Sequence, residues 1–162
     1  MRKFLPDIAL SLLVLLVQTG VIRFLSIGGI VPDLVLLWVA ALAIRRGQIP
    51  ATSAGFLLGL AQDILSGDGM LGLSALTKTL AGFIAGYFYN ENKTLQTMGS
   101  YRLLLIAGLV SLVHDGLYFL LFLQGSGISW SRSLLEYGIP TTVYTLAVAL
   151  IPMFAFARKQ LA

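Results

Sequence analysis

YRLLLIAGLVSLVHDGLYFLLFL, residues 101–123, decides the class of fold. At about 23 residues it exceeds the ~20 that a helix needs to cross a bilayer. Its charges are Arg102 at one end and Asp115 in the interior, beside His114. The rest of the chain agrees. Of 162 residues, 57% are hydrophobic and only 11% charged, and the mean hydropathy is +0.89. Soluble domains carry charge on about a quarter of their residues. The composition is that of an integral membrane protein.

Working outward from that run, the sequence predicts an all-α, single membrane domain over residues 1–162, with six transmembrane helices in one bundle. The spans are Phe4–Leu25, Ile30–Ile44, Ala51–Leu65, Leu71–Tyr89, Tyr101–Leu123 and Leu134–Phe156. Gly-, Pro- or Ser-bearing breaks separate them. Pro6, Pro32 and Pro50 fall where a first helical turn begins, and Asp7 and Asp33 favour the positive helix end. The second and third spans, about 15 residues each, are short for a full crossing, which leaves three arrangements open: little tilt, local thinning of the bilayer, or a place partly inside the bundle. The first apolar run is too long for a signal-peptide core, whose apolar region is usually about 7–15 residues.

The net charge of +4 is not a nucleic-acid signal, because the basic residues flank apolar segments instead of forming a continuous face. With six crossings, Arg2, Lys3, Arg45, Arg46, Lys93, Arg102, Arg158 and Lys159 fall on one side, against Arg23 and Arg132 near the other. The positive-inside rule then puts both termini in the cytoplasm. There is no cysteine and a single histidine, His114, which removes thiol chemistry and multi-His metal sites. No catalytic residue, metal or cofactor is expected.

Two ionisable residues lie deep. Lys78 is about 10 Å down the fourth span and Asp115 about 12 Å down the fifth, at 1.5 Å per residue. Matched depth and opposite sign predict a buried charge pair, the alternative being a Lys78 that snorkels along its own helix. Asp33 and Asp63 read as shallower, about 3 Å below the outer boundary by the same rise. With Arg23 and Glu136 they concentrate charge in the outer half, which implies a polar cleft open to the outside. His114 and Asp115 are adjacent, so their side chains are expected to diverge without forming a dyad.

The third span holds Gly55-x3-Gly59-x3-Asp63-x3-Gly67, a stripe of four-residue spacing, and the fourth holds Ala81-Gly82-x2-Ala85-Gly86. Small residues on such faces admit a neighbouring backbone. Gly55, Gly59, Gly82 and Gly86 are therefore expected to pack helices tightly. The outer end, around Asp63 and Gly67, and the loop Gln124–Ser133 are expected to meet a partner.

The order Val31-Pro32-Asp33-Leu34, Arg45-Arg46-Gly47, Gly55-Phe56-Leu57-Leu58-Gly59-Leu60-Ala61-Gln62-Asp63, Gly67, Leu71-Gly72-Leu73-Ser74-Ala75-Leu76, Gly82 and Gly86 resembles the rod shape-determining MreD family. The resemblance extends over nearly the whole chain in length and hydropathy, with its specific residues between Pro32 and Gly86. It implies a non-enzymatic scaffold of the bacterial elongation machinery in the plasma membrane. The partners it implies are MreC, the actin-like MreB, the glycosyltransferase RodA and a class B penicillin-binding protein. It also implies a fold similar to the substrate-binding subunits of energy-coupling-factor transporters. Such a vitamin-binding subunit is the rival reading, but the first span lacks the Ala-x3-Ala docking pattern and the outer loops are short.

Overall fold

The computed structural model describes residues 5–67, 70–124 and 127–161. Arg2, Lys3, Phe4 and the Asp68-Gly69 part of the turn after the third span lie outside them. The described residues are helical and hold no β-strand, only a single antiparallel bridge between Ile27 and Ile30. Helix α1 (Leu5–Leu16) continues through a π-helical stretch (Val17–Val21) and a 3-10 turn (Ile22–Leu25). There follow α2 (Leu34–Arg46), α3 (Gln48–Ser66), α4 (Leu73–Gly86), α5 (Thr94–Met98) and α6 (Tyr101–Phe122). Helix α7 (Trp130–Ser133) runs through a second π-helical stretch (Leu134–Gly138) into α8 (Ile139–Leu161). Helix α6, with 22 residues, and the continuous helix Trp130–Arg158, with 29, are long and apolar enough to cross a membrane.

Helix α2 is the axis of the molecule. Every residue from Val35 to Ile44 is buried, and α1, α3, α4 and α6 pack around it. A helix that is apolar all round needs such a central position. It starts at Leu34, later than the expected Ile30, because Asp33 caps it: the carboxylate Oδ1 accepts from Leu36 N at 2.8 Å. Pro32 therefore lies just ahead of the helix instead of in its first turn. The non-helical backbone there is tied by distant side chains. Gln18 Nε2 donates to Pro32 O at 3.2 Å, Leu34 N donates to Gln18 Oε1 at 2.8 Å, and Asp33 N donates to Thr145 Oγ1 at 2.9 Å. Irregular backbone inside an apolar bundle is tolerated only when satisfied in this way.

The distribution of side chains is inverted relative to a soluble protein. Asp7, Asp33, Lys78, His114 and Asp115 are buried, while Leu5, Leu16, Phe24, Ile49, Leu105 and Ile151 are exposed. Water would penalise both halves of that pattern; lipid favours both. At one end of the bundle, Asp7 Oδ2 takes the Arg46 side chain at 2.8 Å and Asp7 Oδ1 lies 3.4 Å from Arg45 Nη2. Trp38 Nε1 donates to Ser11 Oγ at 2.7 Å. These contacts clamp the start of α1 to α2, a role the helix-dipole reading of Asp7 did not contain.

Helices α3 and α4 form the closest pair. A Cβ placed on Gly55 would collide with the carbonyl of Lys78, and one on Gly86 with Gln48. At Gly59 it would lie 2.5 Å from Ser74 O and 2.6 Å from Ala75 Cα; at Gly82, 2.6 Å from Ala51 O. The two glycine faces therefore meet each other, backbone against backbone. The stripe ends at Asp63, because Gly67 is a left-handed cap (φ +68°) and has no atom within 4 Å of a Cβ placed on it. Gly72 (φ +94°) holds the cap position of α4 and offers no side chain. Asp63 fills that gap from α3: its Oδ2 accepts from Gly72 N at 2.9 Å and Ala75 N at 3.3 Å, and its Oδ1 from Ser74 N at 3.2 Å. Asp63 thus acts within the chain, where an outward-facing contact was expected.

Candidate functional site

The deep charges converge near the start of α2, and their pairing differs from the expected one. Lys78 Nζ donates to Asp33 Oδ2 at 2.7 Å and does not pair with Asp115. Lys78 is 1% exposed. Depth matching compared main-chain heights, whereas the amine sits at the tip of a four-carbon stem and reaches the α2 cap. Lys78 is thus paired, though with another carboxylate than expected, and does not snorkel out along its own helix.

Asp115 is held by two other groups. His114 Nδ1 lies 3.0 Å from its Oδ1, and Thr142 Oγ1 donates to its Oδ2 at 2.9 Å. Adjacency on α6 therefore does not keep His114 and Asp115 apart: both side chains lean into the same interior, and the imidazole spans the remaining angle. His114 Nε2 also lies 3.4 Å from Lys78 Nζ. An ammonium has donors only, so a hydrogen bond there has Nε2 as its acceptor, while Nδ1 faces Asp115. The chain Asp33–Lys78–His114–Asp115–Thr142 thus links α2, α4, α6 and α8 with the imidazole at its centre. The cluster holds two carboxylates, one ammonium and one imidazole.

Above it opens a cavity of about 710 Å³, lined by Asp33, Lys78, His114 and Asp115 at its floor and by Gln62, Asp63, Tyr118, Phe119, Arg132 and Glu136 among its walls. Its aromatic wall grows directly from the floor. His114 stacks on Tyr118 at 6.0 Å between centroids, and Tyr118 on Phe122 at 5.6 Å, following the four-residue spacing of α6. Phe119 and Tyr137 face each other at 6.4 Å. At the rim, Arg132 Nε donates to Glu136 Oε1 at 2.7 Å. Of the residues singled out from sequence, Pro32, Asp33, Asp63, Lys78 and Asp115 line this cavity. Gly55, Gly59, Gly82 and Gly86 lie in the α3–α4 seam, and Gly67 and Gly72 in the turns at its end. Gln18, Thr142 and Thr145 were not anticipated. A polar side chain within an apolar span, or two threonines three apart on one face of the last span, was the available signal.

A family model described as rod shape-determining protein MreD matches residues 2–160, essentially the whole chain. The chain belongs to that family, and with its apolar helices it is a rod shape-determining membrane protein, a structural class. No curated protein and no solved structure matches it.

Proposed function

We propose that this member of the MreD family is a non-enzymatic scaffold subunit of the cell-elongation complex (the elongasome), serving sidewall peptidoglycan synthesis. The match over residues 2–160 carries the reading. In this reading the chain crosses the inner membrane six times with both termini cytoplasmic, in an arrangement like the substrate-binding subunits of energy-coupling-factor transporters. It binds MreC and works with RodA, a class B penicillin-binding protein and MreB, the last directly or through the complex. Two features support a scaffold: the α3–α4 seam is closed by backbone contact, and buried polar groups tie α2, α4, α6 and α8 together, so the apolar outer faces are presented by a cross-linked frame.

Affinity purification in mild detergent, with identification of what is retained, tests this. Co-recovery of MreC with a synthase is the expected outcome. Recovery of an ATPase module in their place, with no shape-determining partner, would establish the transporter-subunit reading instead.

A further inference from the structure

We propose that the cavity above the buried charge cluster is a binding site for an organic cation: an ammonium group carried on an apolar or aromatic body. This goes beyond the scaffold reading and does not depend on which proteins the chain binds.

Charge decides the sign of the occupant. The lining holds four carboxylates, Asp33, Asp63, Asp115 and Glu136, against two cations, Lys78 and Arg132. Each cation is already paired, Lys78 with Asp33 at 2.7 Å and Arg132 with Glu136 at 2.7 Å. An anion entering would meet excess negative charge and no unengaged cation. A cation from outside would balance that charge.

The walls decide its chemistry. No three acids or imidazoles among the described residues are grouped to hold a metal ion, whereas a diffuse organic cation needs no such convergence. Rings climb from floor to rim along α6, stacked on one another, and form an aromatic wall suited to the apolar body that carries the ammonium. Gln62 lines the cavity, and its Oε1, buried beneath that lining, has no hydrogen-bond partner, so a small turn of the side chain would bring an unused acceptor to an N–H donor. The volume of about 710 Å³ is that of a small-molecule site. The ammonium belongs on the Asp115 and Gln62 side of the cavity, with its apolar part toward Tyr118 and Phe122.

An aminophospholipid headgroup and a free amine share this chemistry, and the experiment separates them. The full chain is placed in nanodiscs of phosphatidylglycerol, which has no ammonium, and its Tm is followed during titration with phenethylammonium or with 3-phenylpropionate. A saturable rise with the cation alone is expected. Asp115→Asn, which keeps the shape of the side chain, should raise the half-saturating concentration about tenfold, the effect of losing one nearby charge in a shielded site. Glu136→Gln, on the exposed rim where folding is not at stake, should raise it several-fold and decides the matter if Asp115→Asn fails to fold. Loss of the probe's effect in phosphatidylethanolamine discs would support the site with the headgroup as occupant; persistence would support it with a free amine. An equal rise with the carboxylate, or a half-saturation unmoved in the folded variants, would overturn the proposal.

Discussion

Gly59→Leu is expected to leave little folded protein in the membrane, and Gly55→Leu the same. A Cβ at Gly59 already lies 2.5 Å from Ser74 O and 2.6 Å from Ala75 Cα, so the obstacle is main chain that cannot swing aside. Even alanine must push α3 and α4 apart, which should cost about 1–3 kcal/mol per site, as overpacking does in close-packed interiors. Leucine adds a branched side chain to the same seam and should prevent closure. Gly20 provides the control, since a Cβ there meets nothing within 4 Å, and Gly20→Ala should be neutral or mildly stabilising. Abundance in membranes and detergent Tm measure all three. Normal abundance of Gly59→Leu with loss of partners on purification would move the seam from internal packing to a partner interface.

Lys78→Met and Asp33→Asn should each be strongly destabilising, by about 3–5 kcal/mol, because either change leaves a buried charge without its partner. Asparagine at position 33 keeps an oxygen for the Leu36 N–H, so the loss reports the charge rather than the helix cap. The double variant Lys78→Met/Asp33→Asn should recover a large part of that loss. Lys78→Met/Asp115→Asn should recover much less, since Asp115 meets Lys78 only through His114. Greater recovery with Asp115 than with Asp33 would reverse the assignment of the pair.

The helices were legible in the sequence where one apolar run stands between clear breaks. The span expected at Tyr101–Leu123 is a helix over Tyr101–Phe122, and that expected at Ala51–Leu65 one over Gln48–Ser66. The glycine stripes were legible too, because four-residue spacing reports a shared face without knowledge of what lies opposite. Pairings between distant segments were not. Asp7 finds Arg46 across 39 residues, and Asp33 N finds Thr145 across 112; no local periodicity encodes either. Asp63 looked like an exposed end because its partners are amides of the next helix. The missing side chain at Gly72, a cap position that cannot cap itself, was the hint that an acceptor had to come from elsewhere. Main-chain depth chose the wrong carboxylate for Lys78 for a similar reason: a long flexible side chain samples a sphere, and the sequence fixes only its centre.

The central claim is that these helices sit in the membrane with the cavity open to the outside and the basic ends in the cytoplasm. The absence of native cysteine makes the direct measurement clean: single cysteines at Ser129 and at Lys93, both exposed, challenged in intact cells with a membrane-impermeant thiol reagent. The account predicts labelling at position 129 and none at 93 until the cells are opened. Labelling at 93 in intact cells, or protection at 129, would contradict it.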